Sequence, residues 1–163
     1  KPVEEGDSGQ IAVRGPQVMM GYWNRDDETA KVMTEDGFFK TGDIGIRTES
    51  GAIKIVDRLK DMIIVSGFNV YPNEVEDVIV SHKDIVEAAA IGIPDPKSSE
   101  AVKVFVVRGN PSLTEKDVIA YCRENLTAYK VPKIVEFREE LPKTNVGKIL
   151  RRELRDEELA KHK

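Results

Sequence analysis

Four short stretches hold residues whose types and spacing could do chemistry. Thr41-Gly42-Asp43 follows the turn residues Asp36-Gly37 and sets a carboxylate beside a glycine at the start of a strand. A carboxylate on a tight turn can accept hydrogen bonds from two vicinal hydroxyls, as on a ribose, or it can simply be a solvated turn residue. Asp57-Arg58-Leu59-Lys60-Asp61 packs four charges into five positions. Such a cluster is either a solvated linker or a place where the planar fork of Arg58 grips a ribose or phosphate.

Pro142-Lys143-Thr144-Asn145-Val146-Gly147-Lys148 is the third and sharpest. It is not a P-loop: no glycine stands five residues before Gly147, and no Ser or Thr follows Lys148. The sequence predicts a helix opening near Val146, whose free N–H groups would favour an anion. Lys148, Arg151 and Arg152 would crowd its start and Asp156, Glu157 and Glu158 its later turns, against the macrodipole by about 0.3–1 kcal/mol per charge. Either the helix entrance faces an anion, or Arg152 pairs with Asp156 and the helix faces an acidic neighbour. A fourth stretch, Val65-Ser66-Gly67-Phe68, puts two small residues into an apolar run. There a glycine either lets a thin ligand approach the backbone or marks a β-bulge.

The elements that must hold these residues fall into two parts. Residues 1–57 read as all-β: an alternating strand at 10–14 broken by Gly15-Pro16, and a hairpin of 44–47 with 52–56 around Thr48-Glu49-Ser50-Gly51. Trp23, Phe38 and Phe39 are the expected apolar anchors. So few short strands bury little surface on their own. Residues 60–163 alternate strands and helices. Strands are expected at 62–65, 85–93, 101–107 and 133–137. One helix opens at Pro72 with Val75, Val78 and Ile79 inward, and another follows the N-cap Thr114 with Val118, Ile119 and Cys122 inward. The expected fold class is α+β: a β-rich segment at 1–57, a charged linker, then a compact α/β domain at 62–163 with a short hairpin, a central three-stranded sheet and flanking helices.

Composition narrows the function. The chain has 163 residues, 40% hydrophobic and 33% charged, with a formal net charge of −4. That balance argues against nucleic-acid binding. The one cysteine, Cys122, cannot close an internal disulfide and suits a reducing compartment. His82 and His162 stand far apart without cysteine partners, so no metal site is expected. No apolar run reaches the roughly 20 residues of a membrane span. The chain opens on Lys-Pro without a signal sequence or an initiator Met and runs directly into strand-like sequence, as if cut from inside a longer protein.

In order, these segments resemble the adenylate-forming superfamily, which includes acyl-CoA synthetases, luciferases and the adenylation domains of peptide synthetases. The likeness covers about residues 9–155. It runs through the glycine–tyrosine segment at 15–22 with Trp23-Asn24-Arg25, then Thr41-Gly42-Asp43, then Asp57-Arg58 with Lys60-Asp61, then Ser66-Gly67-Phe68 and Gly147-Lys148. The wording of residues 65–74 and 146–152 is most similar to bacterial long-chain fatty acid–CoA ligases. Two departures stand out. Gly9-Gln10-Ile11 replaces the family's Gly-Glu-Leu, and no lysine occurs at Ile64-Val65-Ser66, where luciferase-like and coumarate–CoA ligase-like members carry them.

The resemblance implies a large N-terminal domain ending at residue 57, a hinge at 58–61 and a mobile lid at 62–163. It implies ATP-dependent formation of an acyl adenylate, then displacement of AMP by the thiol of CoA. By motif position Asp43 and Arg58 would bind the ribose of ATP, and Lys60 would lie at the hinge. Lys148 would bridge the attacking carboxylate and the α-phosphate, and Ser66 and Gly67 would border the pantetheine tunnel. Fatty acid, ATP and CoA are the implied small molecules. Mg2+ would be bound by residues outside this chain, as would the phosphate loop and the acyl pocket, so this piece alone is expected to be inactive. The implied location is cytoplasmic, peripheral at the inner membrane face for a protein handling long acyl chains. The competing expectations are a medium-chain or aryl acid–CoA ligase and a non-catalytic interaction module.

Overall fold

The computed structural model describes residues 2–4 and 6–161; His162 lies outside them. It contains two compact units, residues 1–60 and 61–163.

The first unit is a three-stranded antiparallel sheet in the order β1-β2-β3, with β1 at Ser8–Val13, β2 at Phe39–Arg47 and β3 at Ile53–Arg58. The β2–β3 hairpin turns through Thr48–Gly51 as its sequence foretells. Thr48 N donates to Ala52 O at 2.8 Å, and Gly51 takes φ +81°, which favours glycine. The unit is not all-β. A short helix, α1, spans Asp26–Val32, with Asp26, Asp27 and Glu28 in its first turn. It buries no residue. Trp23 is not an anchor either: it is 90% exposed, while Phe38 and Phe39 are half-buried. Among the described residues of this unit, Ile44 is the one buried hydrophobic side chain. Ile53 and Ile55 stand exposed along β3. The sheet therefore buries too little apolar surface to account for its own stability.

The second unit is a mixed sheet with helices on both faces. Its strands are β4 (Ile63–Val65), β5 (Phe68–Val70), β6 (Ile85–Asp95), β7 (Ser99–Arg108) and β8 (Ile134–Phe137). Their order is β5-β4-β7-β6, with β8 parallel to β7 and the other pairs antiparallel. Ala88, Ala90, Val102, Val104 and Val106 pack with Val75 and Ile79 of α2 (Pro72–Val80) and Val118 and Cys122 of α3 (Glu115–Asn125). Ala89, Ile91, Ile93, Ala101 and Phe105 pack with Leu141 and with Leu154 of α4 (Arg151–Lys161). The two-residue period of a strand explains why β6 and β7 are nearly continuously apolar: both faces are covered.

Caps and ion pairs hold the helices to this sheet. Thr114 accepts from Asp117 N, and the Asp117 carboxylate accepts from Thr114 N, a closed capping box. On the α4 side, Lys103 is 5% exposed yet sits 2.7 Å from both Glu136 and Glu158. Lys161 and Arg138 complete the same network.

Candidate functional site

In the first unit, Thr41-Gly42-Asp43 lies inside β2 rather than at a strand start. Gly42 adopts φ +79°, and three residues of β2 oppose the single residue Ile11 of β1. This bulge lifts the segment out of the ladder. Thr41 Oγ1 closes it by donating to Ile11 O at 2.9 Å and accepting from Asp43 N at 3.1 Å. On its other side β2 pairs with β3, setting Asp43 opposite Arg58. Arg58 Nε lies 2.9 Å from Asp43 Oδ1. The two residues predicted to hold a ribose are thus neighbours across two strands, and both remain accessible. Asp57, beside them, is buried and accepts from Arg58 N at 2.7 Å. Asp57 and Arg58 are therefore strand residues, not linker. A single 3-10 turn, Leu59–Asp61, follows, with Lys60 exposed at its centre.

In the second unit, Ser66 and Gly67 form the two-residue turn between β4 and β5, with Val65 opposite Phe68. Their φ angles are +52° and +85°. Consecutive left-handed residues are what a tight hairpin turn with native strand twist demands. The segment is thus neither an interrupted strand nor a bulge. A methyl group on Gly67 would meet nothing within 4 Å, so the conformation selects glycine here, not crowding within the chain. Ser66 N donates to Ser98 O at 2.8 Å, and Phe68 stacks on Tyr129 with ring centroids 4.7 Å apart.

Lys148 does not open a helix. Gly147 has φ +80°, and α4 begins at Arg151. Residues 142–150 form a narrow loop instead. Thr144 N donates to Lys148 O at 2.8 Å, Leu150 N donates to Pro142 O at 2.8 Å, and Lys143 bridges with Ile149 as an isolated strand pair. The left-handed glycine breaks the helical run, and the bridge takes up the backbone groups a helix would have used. Lys143 is ion-paired with Glu87 of β6, and Leu141 is buried. Lys148 is exposed, and its ammonium makes no ion pair among the described residues. The helix arginines are explained by acidic neighbours: Arg152 reaches Asp156 at 3.6 Å, and Arg151 binds Glu76. Arg151 thus answers to a tertiary partner on α2, and Arg152 to a residue one turn on within α4.

Ser66-Gly67 and Lys148 occupy different places on this sheet. The hairpin turn is at the β4–β5 end, and the Lys148 loop is tied to β6 at the other edge. Among the described residues, no three His, Cys, Asp or Glu side chains converge as ligands for a metal ion. A groove of about 620 Å³ in the first unit, bordered by Ile11, Phe38 and Lys40, contains none of these site residues.

Residues 74–148 match the model of the AMP-binding enzyme C-terminal domain. The chain is 60% identical over 95% of its length to a long-chain-fatty-acid–CoA ligase of Escherichia coli O157:H7. Residues 74–148 thus carry an AMP-binding enzyme C-terminal domain, and nearly the whole chain is similar to long-chain-fatty-acid–CoA ligases.

A ligase of the same description from Yersinia pestis is 61% identical over 96% of the chain. Among solved structures, ATP-bound MatB from Rhodopseudomonas palustris superposes with a TM-score of 0.88 at 39% identity. It covers 94% of this chain and is itself matched over 31% of its length. The chain spans 28% of the length of each of the two curated ligases. The matched domain runs from Glu74, on α2, to Lys148.

Proposed function

We propose that this chain carries the hinge and lid of an ATP-dependent long-chain fatty acid–CoA ligase, with Lys148 serving the adenylation step. In that step a carboxylate oxygen of the acid bonds to the α-phosphorus of ATP, and the bond to the β-phosphate oxygen breaks to release diphosphate. Two anions must approach each other. A cation between them lowers the barrier by stabilising the charge that gathers at phosphorus. The observation that carries this reading is the placement of Lys148: an exposed ammonium, on a loop closed by backbone hydrogen bonds and tethered through Lys143, with no ion-pair partner among the described residues. Such a cation is pre-organised and available.

Asp43 and Arg58 fit the ribose of the same nucleotide. The carboxylate accepts from vicinal hydroxyls, and the guanidinium fork holds it in place. In the second step the thiol of CoA gives up its proton to solvent, its sulfur bonds to the acyl carbon, and AMP departs with the electron pair of the broken carbon–oxygen bond. The Ser66-Gly67 turn offers a side-chain-poor surface for the thin pantetheine arm. Adenylate-forming CoA ligases generally use Mg2+ with ATP. The described residues supply no ligand set for it, and no step above depends on one. No helix among the described residues is long and apolar enough to cross a membrane. A cytoplasmic enzyme meeting its long-chain acid at the inner membrane face accords with the proposed substrate.

The test uses the full-length protein bearing this chain. Lys148→Ala should slow diphosphate release from palmitate and ATP by at least about a hundredfold. Acyl-CoA formation from supplied palmitoyl-AMP should change far less. An unchanged diphosphate-release rate refutes the role of Lys148. A preference for benzoates over palmitate refutes the long-chain assignment.

A further inference from the structure

The loop bearing Lys148 ends where α4 begins, and the first residue of α4 is bound more densely than its place on a helix end requires. Arg151 Nε donates to Glu76 Oε1 at 2.7 Å, and its Nη2 bonds both Glu76 Oε2 and Asn73 Oδ1. Its Nη1 lies 3.7 Å from Asp61 Oδ2. One turn later Arg155 Nη1 donates to Asp61 Oδ1 at 2.8 Å. Glu76 belongs to α2, which packs on one face of the sheet, and Arg151 to α4, which packs on the other. They meet around the edge of β6, where Glu76 Oε1 also accepts from Ala90 N at 2.8 Å. The arrangement is a clip of two charged side chains around a sheet edge.

The clip lies three residues from Lys148 and directly follows the closure of the loop by Leu150 N and Pro142 O. At the other end of the loop, Lys143 is paired with Glu87, also on β6. Both ends of the loop are therefore tied to one strand, one through Glu87 and the other through Glu76. A surface loop fixed at only one end would leave its lysine free to sample many positions. Fixed at both, it holds the backbone of Lys148 at a set place on the lid. Arg151 is suited to this because its planar fork fixes direction as well as distance, which an ammonium cannot do.

We infer that Arg151, through its bidentate pairing with Glu76, is a positioning residue for Lys148 in the adenylation half-reaction. This rests on the role proposed for Lys148 above. The inference separates two kinds of effect. A residue that only stabilises the lid should affect both half-reactions. A residue that positions Lys148 should affect adenylation alone, and only while Lys148 is present.

The experiment compares Arg151→Met, Arg151→Lys, Lys148→Ala and the double variant Arg151→Met/Lys148→Ala in the full-length enzyme. Diphosphate release from palmitate and ATP reports adenylation. Acyl-CoA formation from supplied palmitoyl-AMP and CoA reports the second step and the integrity of the lid. Arg151→Met should lower adenylation about tenfold or more, with the second step within about twofold. Arg151→Lys, which keeps the charge but not the fork, should recover part of the loss. Adding Arg151→Met to Lys148→Ala should cost nothing further, because the two act as a unit. Parallel loss of both steps, no loss in either, or an equal loss without Lys148 would overturn the inference. If Lys148→Ala impairs adenylation and Arg151→Met does not, the positioning role alone fails. If Lys148→Ala has no effect, both fail. Should Arg151→Met not fold, Glu76→Gln removes the charge of the partner and is judged by the same criteria.

Discussion

Arg58 Nε and Asp43 Oδ1 stand 2.9 Å apart across the β2–β3 pair, beside the bulge that Gly42 makes possible. The pair is open to solvent, with the Arg58 side chain 60% exposed. An exposed ion pair of this kind contributes about 0–1 kcal/mol. The pair therefore adds little to the stability of the fold.

Arg58→Ala in the full-length enzyme should leave the denaturation midpoint almost unchanged, a loss below about 1 kcal/mol. The KM for ATP should nevertheless rise about tenfold, the loss of one charge-assisted contact worth about 1.4 kcal/mol. Urea titration and steady-state kinetics check the two halves. A large stability loss with an unaltered KM would make the pair structural.

Gly67→Ala should be unfavourable by roughly 1–2 kcal/mol, because φ +85° is strained for any residue with a Cβ, even though the space is open. Relaxation of the turn would move Ser66 and Phe68, so thioester formation from supplied acyl-AMP should fall more than adenylation. Separate assays of the half-reactions read this directly.

Acid should loosen α4 before neutral pH does. Burial alone would raise the Glu136 carboxyl, but hydrogen bonds from Lys103, Arg138 and Lys161 outweigh it and bring the group down to about 2. Glu158 is held low in the same way by Lys103 and Lys161. A carboxylate lowered in the folded state adds stability above its unfolded pKa and loses that contribution as the pH falls toward the folded value. Stability should therefore decline between about pH 4.5 and about pH 2, and Glu136→Gln should flatten that decline. Lys103→Met, which leaves the buried Glu158 carboxylate and the half-buried Glu136 each short of a partner, should cost about 3 kcal/mol at neutral pH. Denaturant melts across the pH range measure both.

Cys122 is fully buried on α3, and burial pushes its thiol up to about 11. It should resist alkylation by iodoacetamide in the native protein and react only as denaturant opens the second unit. Rapid labelling at neutral pH without denaturant would contradict the packing of α3.

Legibility in the sequence follows the range of the interactions. The capping box of α3, the loop at Thr48–Gly51 and the doubly apolar β6 and β7 depend on neighbouring residues, and their patterns are visible in the chain. Helix α1 is missed because it buries nothing, so no apolar period marks it. Trp23 is misjudged because aromatic character alone does not say whether a neighbour covers it. The start of α4 is misplaced because residues 143–149 close on themselves, and its arginines answer to Glu76 and Asp61, about 75 and 94 positions away in sequence. Asp43 and Arg58 are recognisable singly, yet their contact depends on strand register. Gly67 is recognisable as a special glycine, while its turn emerges only with the pairing of Val65 and Phe68.

The clip at the edge of β6 also bears on self-association. A terminal strand with free amides is a template on which another chain can extend the sheet. Here the Ala90 amide is already taken by Glu76, which is in turn gripped by Arg151. Pro94, four residues further along the same strand, has no N–H to offer. A second strand could add at this edge only by first breaking an ion pair and then skipping a donor. The residues that hold the Lys148 loop thus also shield the edge of the sheet against growth into a larger one.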